Sequence, residues 1–472
     1  MNSAIGRFFA GRRIVLPALV ISQALTLVRN TLVARLLGPE QFGIAVTFLL
    51  AQQFLEMAAD TGLNKFLLQS QSGNRPAVQA TVQILSAVRG ILIAIAIIAI
   101  AWPVFAALGL TANFLPFALL SLASASTGFL HFDTARQQRR EIYANDSLST
   151  LAGDAMGLLA CGVALLFTRD YVVVLIGILA RAIGTTVMSH LLAERRYVLR
   201  LSRPVAATVF VYSWPLMING PLLFASSQAD RVFITATLGL RDLGIYSATL
   251  LLVVLPMGLL QRVMGRIFMP RLSAAYHVGD MGAVEREFTG VALAAYLLAA
   301  AGFAAIGPLA LEVLYGSAYA QTALPVALIG LSQAMRFLRS WPMGLALAVG
   351  QTRNLLLSNV IRLLALPLGL VGVLLGDGII GMVIGLLAGE TLALLISLIL
   401  LNRGRNLAAT HGLPAFGVAM AVAIVLPVAF WLVAPGHLLA PVVALTVFAG
   451  AVFAVRMIDP HLIPRNFKSF GW

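Results

Sequence analysis

Eight arginines stand inside long apolar stretches of the sequence, where a charged side chain is least expected. They are Arg29, Arg89, Arg181, Arg231, Arg262, Arg336, Arg339 and Arg362. A guanidinium group presents a planar fork of N–H donors that binds phosphate and carboxylate groups through paired hydrogen bonds. A charge in the middle of a membrane span costs about 2.5–3.5 kcal/mol. Each arginine must therefore face water, pair with an acid, reach the membrane surface or bind an anion.

Five of these arginines are predicted to line a cavity that binds an anionic substrate. They are Arg29, Arg181, Arg231, Arg336 and Arg339. Arg336 and Arg339 are about one helical turn apart, so they share a helix face, and the alternative to anion binding is pairing with an acid such as Glu390. The other three stand nearer the ends of their stretches, where we expect the side chains to reach the surface; these are Arg89, Arg262 and Arg362.

Four acids are candidates for ion coupling or for pairing with the arginines. They are Glu56, Asp60, Asp230 and Glu390. Glu56 and Asp60 are four residues apart, which on one helix predicts a polar stripe that Asn64 and Lys65 continue. The stripe could bind a cation or polar substrate groups, and it is equally consistent with a helix end at the membrane surface. Glu390 could titrate and couple to an ion gradient, or it could stay paired.

Most other chemistry is excluded by what the sequence lacks. It contains no nucleotide-binding loop, no metal-ligand spacing and no nucleophile motif. The one cysteine, Cys161, lies in an apolar run, so neither a disulfide nor a thiolate metal cluster can form within the chain. We therefore expect no enzyme activity, no cofactor and no metal, and an energy source other than ATP.

The elements that hold these residues must be membrane spans. The chain has 472 residues, of which 60% are hydrophobic and 11% charged, whereas soluble domains carry about 25% charged residues. A span needs about 20 apolar residues. Fourteen runs of suitable length lie at about 14–36, 42–63, 85–108, 112–132, 147–168, 171–193, 206–238, 245–268, 288–311, 322–349, 355–375, 378–401, 414–434 and 437–457. Proline-containing sites at Trp214-Pro215, Pro221 and Trp341-Pro342 are predicted kinks.

The net charge of +14 is explained mainly by membrane topology. The basic residues are scattered between the apolar runs, which argues against binding to nucleic acid. Of the 32 Lys and Arg residues, 21 fall in alternate connections and only three, Arg35, Arg169 and Arg241, fall in the others. This alternation follows the positive-inside rule. It predicts an even number of spans, a cytoplasmic tail at residues 1–13 and both termini in the cytoplasm.

An internal repeat relates the two halves of the chain. The segment 37–44 reads LGPEQFGI and the segment 238–245 reads LGLRDLGI, at an offset of 201 residues. An even number of spans per repeat gives two parallel bundles, the usual frame of a transporter with substrate between the halves. We therefore predict a six-helix bundle at 1–205, a second at 206–405, and two further spans with a cytoplasmic tail at 406–472. The predicted fold is all-α and polytopic, with two six-helix repeats facing a central cavity.

The repeated segments carry a resemblance to a known group. Residues 34–43, ARLLGPEQFG, resemble the LLGPExFG signature of the polysaccharide and lipid flippases in the multidrug/oligosaccharidyl-lipid/polysaccharide exporter superfamily. Residues 228–234 and 238–246 are similar to the seventh-helix motif of the same family, with Leu240 where the family often has Pro. The resemblance implies a bacterial inner-membrane flippase that translocates a polyprenyl-pyrophosphate-linked oligosaccharide for surface polysaccharide biosynthesis by alternating access.

Several partners and alternatives follow from this resemblance. The expected partners are the lipid-linked oligosaccharide, membrane lipids, and the polysaccharide polymerase and glycosyltransferases of the same pathway. A drug/cation antiporter of the superfamily is the first alternative, which would favour acids over bases in the cavity. A polymerase or ligase is the second, although such enzymes usually need a long outer loop. A scaffold protein would leave the arginines in the middle of spans unexplained.

Overall fold

The structure is a computed structural model that describes residues 15–103, 114–278, 281–321, 323–403, 412–433 and 439–458. Within these ranges the regular secondary structure is helical and no strand is formed. The helices are α1 (Val15–Ala58), α2 (Leu63–Gln69), α3 (Pro76–Ala96), α4 (Leu115–Gly128), α5 (Asp133–Gln138), α6 (Ala144–Ala164), α7 (Val172–Leu191), α8 (Arg203–Thr237), α9 (Leu240–Val278), α10 (Gly282–Tyr315), α11 (Ala323–Leu338), α12 (Ser340–Ala348), α13 (Thr352–Arg362), α14 (Ala365–Gly372), α15 (Gly378–Arg403), α16 (Gly412–Val433) and α17 (Ala440–Ile458). The predicted tails at residues 1–13 and beyond 458 lie outside the described residues.

The all-α polytopic membrane fold is confirmed. Ten helical stretches of the described chain are long and apolar enough to cross a membrane, and α4 is a shorter apolar helix. Two of these stretches, Pro17–Gln69 and Arg353–Asn402, each cover two predicted runs. The predicted run 322–349 divides into α11 and α12, each shorter than a full span. The count of fourteen spans therefore stays a prediction.

The repeated motif places a left-handed glycine at the same point of both halves. Within α1, Gly38 has φ 78° and ψ 170°, and Pro39 begins the next helical segment. Between α8 and α9, Gly239 has φ 94°. A straight helix of 44 residues would be about 66 Å long, twice the roughly 30 Å hydrocarbon core. The break at Gly38 therefore divides α1 into two segments of span length.

The predicted proline kinks have two different outcomes. Helix α8 contains Pro215 and Pro221 and continues through both as one helix. The run around Trp341-Pro342 is interrupted, but the break lies at Arg339, between α11 and α12. A proline inside a helix clashes with the carbonyl four residues earlier, which for Pro342 is Leu338, the last residue of α11.

The chain forms two compact units, Met1–Val232 and Phe233–Trp472. The predicted boundaries at 205/206 and 405/406 stay predictions. The core of the first unit is built on a cluster of Phe48, Ile93, Ile97, Phe117, Leu120 and Leu175. Its helices α3 and α4 approach so closely that a methyl group on Gly90 would overlap Gly128. In the second unit the Tyr296 hydroxyl donates to the Ala419 carbonyl at 2.8 Å, which joins α10 to α16.

Candidate functional site

A single buried carboxylate in the second unit holds three arginines from other segments. Glu390 lies on α15, and its Oε2 accepts a hydrogen bond from Arg339 Nε at 3.0 Å. Its Oε1 lies 2.6 Å from Arg362 Nε, at the end of α13, and 3.9 Å from Arg336 Nε on α11. We call these four residues the Glu390 cluster. It contains two more positive charges than negative ones, which is an arrangement that can hold an anion.

The break between α11 and α12 positions the most deeply buried arginine of the cluster. Arg339 occupies the break itself and is 5% exposed. Its Nη1 donates to Ser358 Oγ at 3.1 Å and to Asn359 Oδ1 at 3.0 Å. Glu390 and Ser358 are buried, whereas Asn359 is exposed. Arg339 is therefore built into the fold.

Arg336 is the member of the cluster that faces outward. Its side chain is 39% exposed, against 15% for Arg362. Arg336 therefore lies at the surface of the unit, with its Nε 3.9 Å from Glu390. Both arginines lie beside Glu390, their predicted acid partner, and anion binding by Arg336 and Arg339 stays a prediction.

Arg362 was expected to reach the membrane surface, and this prediction is wrong. Its Nε is the nearest of the three arginine nitrogens to the Glu390 carboxylate. The buried carboxylate needs a close counter-charge, which outweighs exposure of Arg362 to water. The acid Glu390 in the next apolar run was the sequence signal that could have indicated this pairing.

A seam of small residues fixes the helix that carries Glu390. Methyl groups on Gly381, Gly385 and Gly389 of α15 would overlap α14 at Gly372, Gly369 and Ala365. The seam holds α14 and α15 in backbone contact, as expected for close packing of membrane helices. Farther along α15, Ser397 Oγ donates to Asn354 Oδ1 of α13 at 2.7 Å, and Ser358 Oγ donates to the Ala393 carbonyl at 3.0 Å.

The first unit contains a smaller ionic site. Asp154 on α6 is buried, with Oδ1 2.7 Å from Arg181 Nε of α7. Ser22 of α1 donates to the other carboxylate oxygen. The Arg29 guanidinium packs against Gly157 and interacts electrostatically with both Arg181 and Asp154. The structure therefore brings together two of the predicted anion-binding arginines, Arg29 and Arg181, with one acid between them, and Arg181 is half-exposed.

Glu56 lies in a polar group of its own. Gln52 Nε2 donates to Glu56 Oε1 at 2.9 Å, and Ser124 Oγ of α4 donates to the same oxygen at 3.4 Å. Gln52 also donates to Ser124 at 3.1 Å. The carboxylate therefore joins α1 to α4 through neutral partners.

The predicted stripe from Glu56 through Asp60 to Lys65 is wrong. Helix α1 ends at Ala58, and α2 begins at Leu63 after Gly62, which has φ 60°. The Gly62 N–H donates to Asp60 Oδ1 at 3.0 Å, so Asp60 closes a turn instead of continuing the helix face. Aspartate favours such turns because its side chain caps a nearby backbone N–H. Glu56 and Asp60 therefore do not form an i, i+4 pair.

Asp230 and Arg231 lie next to each other on α8 and are both half-buried. Both take part in interactions with other groups. Among the residues that the structure describes, no three His, Cys, Asp or Glu side chains are grouped in a way that could hold a metal ion.

A dense polar network at one end of the first unit has no counterpart among the predicted site residues. Asp133 is fully buried, with Oδ1 2.5 Å from Arg136 Nε, and its Oδ2 accepts the Glu194 N–H at 2.8 Å. Burial alone would raise the pKa of Asp133, but the hydrogen bonds from Arg136 and from the N–H groups of Glu194 and Arg195 lower the pKa to about 2. Burial, reinforced by the neighbouring His190, lowers the pKa of His131 in the same network.

Comparison with known families identifies the chain. Residues 32–324, more than half of the sequence, match the family model described as polysaccharide biosynthesis protein. The chain belongs to this family. The match contains both glycine motifs and the Asp154–Arg181 pair of this polysaccharide biosynthesis family member, and it ends before the Glu390 cluster.

Solved transporters share the fold of this family member. The lipid II flippase MurJ, in an inward closed conformation, is 14% identical with a TM-score of 0.63 and covers 94% of this chain and 100% of its own. An inward-facing multidrug resistance MATE family transporter of the MOP superfamily is 13% identical with a TM-score of 0.61, covering 85% and 96%. A MOP superfamily transporter from Pyrococcus furiosus is 12% identical with a TM-score of 0.55, covering 86% and 95%. The comparison with curated proteins finds no match. The chain thus has the fold of the MOP superfamily transporters.

Proposed function

We propose that this protein is a flippase that moves a polyprenyl-pyrophosphate-linked oligosaccharide across the bacterial inner membrane by alternating access. Membership of the polysaccharide biosynthesis family supports the pathway. The observation that carries the substrate class is the Glu390 cluster, in which three arginines share one carboxylate. A pyrophosphate linkage is anionic, so it is the part of the substrate that this excess of positive charge would recognise.

The arginines of the cluster have separate tasks in this proposal. Arg336 binds the pyrophosphate, because it is the exposed member and its planar fork suits phosphate oxygens. Arg339 and Arg362 hold Glu390, and Glu390 orients the three guanidinium groups. In the first unit, Arg181 and Arg29 form a separate cationic site beside Asp154.

The remaining features of the proposal come from topology. Both termini lie in the cytoplasm, and the protein receives its lipid-linked substrate from glycosyltransferases and delivers it to a polysaccharide polymerase. The driving force is an ion gradient or the gradient of the substrate itself. The two predicted six-helix bundles, residues 1–205 and 206–405, alternate access to the substrate, and residues 406–472 contribute two additional spans.

A drug/cation antiporter is the second candidate, because a MATE family transporter shares the fold. A cation site requires an acid that is not already neutralised. Glu390 has three arginine partners, and Asp154 has Arg181 and Ser22. Glu56, held by Gln52 and Ser124, is the acid that this second candidate would use.

The proposed function can be tested in proteoliposomes that contain a fluorescent polyprenyl-pyrophosphate oligosaccharide. Arg336→Ala is expected to lower the translocation rate by tenfold or more, since one charge-assisted hydrogen bond contributes about 1.5–3 kcal/mol. Arg353→Ala removes an exposed arginine from the start of α13 and is the matched control, expected to translocate at the rate of the parent protein.

Two results would contradict the proposal. One is an Arg336→Ala variant that folds and translocates as fast as the parent. The other is the absence of oligosaccharide translocation together with proton-driven efflux of a cationic dye that Glu56→Gln abolishes, which would establish the antiporter instead.

A further inference from the structure

The connection between α7 and α8 is a non-helical segment that exposes both basic and apolar side chains. Residues 192–202 form no helix, although they join two membrane-spanning helices. Because α7 ends and α8 begins at the same membrane face, the segment lies at that boundary between lipid and water. We call it the strap.

The strap is fastened to the first unit through its backbone. The N–H groups of Glu194 and Arg195 donate to Asp133 Oδ2 at 2.8 and 3.4 Å. Farther along, the Val198 N–H donates to Gln83 Oε1 at 3.4 Å, and the Ser202 N–H donates to Thr81 Oγ1 at 3.1 Å. The polar partners are buried. These hydrogen bonds fix the backbone of the strap against the first unit. They therefore also fix which of its side chains point outward.

Tyr197 adds an aromatic anchor in the middle of the strap. Its ring packs against His190 and His131, with centroid distances of 4.7 and 5.3 Å. The ring turns inward, while the next two side chains, Val198 and Leu199, are about half exposed.

The outward side chains of the strap combine arginine with apolar residues. Val198, Leu199 and Leu201 are exposed, and so are Arg196 and Arg200. In water the three exposed apolar side chains would lack any apolar surface to pack against. At the membrane boundary the apolar side chains enter the acyl region while the guanidinium groups stay at the level of the phosphates.

Other exposed basic residues surround the strap. Arg195 Nη1 donates to the Asn74 carbonyl at 3.0 Å, which places the strap beside Arg75 at the start of α3. Arg140 lies 4.0 Å from Glu194. The exposed basic residues at this end of the unit are Lys65, Arg75, Arg140, Arg196, Arg200 and Arg203. The exposed acids at this end are Glu141 and Glu194, so the six exposed basic residues leave the surface with a positive excess.

We propose that the strap and its basic surroundings form a binding surface for the headgroups of anionic phospholipids in the adjoining leaflet. This surface is separate from the Glu390 cluster and does not depend on the proposed substrate. An anionic leaflet attracts basic residues close to it by about fivefold in affinity for each residue. Removing Arg196 and Arg200 together should therefore weaken lipid binding by about 25-fold.

A fluorescent probe on the strap tests the proposal directly. Leu199→Cys in a Cys161→Ala background is labelled with an environment-sensitive dye and placed in nanodiscs of phosphatidylcholine, with or without phosphatidylglycerol. Lipids brominated near the headgroup are expected to quench the dye, and more strongly when phosphatidylglycerol is present. Arg196→Gln/Arg200→Gln should remove this dependence on phosphatidylglycerol. The matched control, Arg169→Gln/Arg241→Gln, removes two exposed arginines elsewhere and should retain it. Equal quenching with and without phosphatidylglycerol would overturn the proposal.

A second measurement needs neither label nor cysteine. The unlabelled proteins are unfolded by heat in neutral detergent with short-chain phosphatidylglycerol, short-chain phosphatidylcholine or inorganic phosphate. Phosphatidylglycerol alone should raise the Tm of the parent and of the Arg169→Gln/Arg241→Gln control, and it should raise that of Arg196→Gln/Arg200→Gln far less. An equal rise with inorganic phosphate would show that the surface binds free phosphate, and an equal rise in all variants would exclude the strap.

Discussion

Arg339 and Glu390 form a buried ion pair in which Nε donates to Oε2 across 3.0 Å. Both side chains are almost inaccessible to water, at 5% and 7% exposure. Separating the pair would leave the Arg339 charge without its carboxylate partner in the interior, whereas Glu390 would keep Arg362 at 2.6 Å. Its neighbour Arg336, on the same carboxylate, is far more exposed. We therefore assign a structural role to the buried Arg339–Glu390 pair and a substrate-binding role to the exposed Arg336.

These two roles predict different losses of stability when each arginine is replaced by alanine. Arg339→Ala should lower the free energy of unfolding by about 1–3 kcal/mol, because Ser358 and Asn359 also lose a charged donor. Arg336→Ala should change stability by less than about 1 kcal/mol, as for other exposed pairs. Chemical unfolding in detergent measures both. If the two variants lose equal stability, Arg336 stabilises the fold as much as Arg339 does, and the assignment of separate roles is contradicted.

A second prediction concerns the Asp154–Arg181 pair. Arg181→Ala leaves Asp154 buried with the Ser22 hydroxyl still bonded to it, and should destabilise the protein by about 1–3 kcal/mol. Asp154→Asn added to Arg181→Ala should recover part of this loss, since the uncompensated charge is removed. Thermal unfolding of the single and double variants gives the coupling energy. Additive losses would show that the two side chains do not interact.

The third prediction is a dependence on pH through Asp133. Its pKa is lowered to about 2 in the folded protein, so its stabilising contribution is complete above the unfolded value near 3.9 and is lost as pH falls toward about 2. The size of the shift corresponds to about 2 kcal/mol. Unfolding measured between pH 7 and pH 3 should show the difference between the parent and Asp133→Asn shrinking below about pH 4. A difference that stays constant would contradict the assignment.

His131 produces a separate dependence at higher pH. Burial and His190 lower its pKa, so neutral His131 contributes stability above the unfolded value near 6.5, and this is lost as pH falls below it. His131→Gln should flatten the stability profile between pH 7 and pH 5 while leaving the Asp133 step in place. The profile of His277→Gln, which removes an exposed histidine on α9, should match that of the parent.

The glycine seam supplies a matched pair of substitutions. Gly385→Ala should lower the free energy of unfolding by about 1–3 kcal/mol, because the new methyl group overlaps the backbone of Gly369. Gly417→Ala on α16 meets no atom within 4 Å and should be neutral or stabilising by up to about 1 kcal/mol. Thermal unfolding compares the two. A destabilised Gly417→Ala variant would show that the loss at Gly385 is not specific to the seam.

The membrane fold could be predicted from the sequence because its causes are local. Apolar run length, the alternation of basic residues and the motif that contains Gly38 and Gly239 all depend on residues close together in the chain. The same motif indicates the family, and both of its glycines have a positive φ. At Gly38 two helical segments are joined by a short break. The lengths of the apolar stretches in the sequence do not show whether such segments form one span or two.

The partners within the candidate site could be predicted only in part. Pairing of Glu390 with Arg336 or Arg339 could be expected because each is a costly charge in an apolar run. The pairing of Arg362 with Glu390 could not be predicted. It depends on how closely α13 packs against α15, and the position of Arg362 along its apolar run does not give that distance. The predicted stripe through Asp60 is wrong for a local reason, since α1 ends at Ala58 and the chain turns through Asp60 and Gly62.

The close packing of α14 on α15 gives the Glu390 cluster an order of dissociation. Arg362 is separated from the start of α14 by two residues, and α13 is also bonded to α15 through Asn354 and Ser358. Helices α13, α14 and α15 are therefore packed into one group that carries both Arg362 and Glu390. Arg336 and Arg339 belong to the neighbouring α11 and the break that follows it. A displacement of these helices from α11 would separate Glu390 first from Arg336, which has the longest contact at 3.9 Å, whereas Arg362 would move together with Glu390. Arg339 would also have to leave Ser358 and Asn359 of α13.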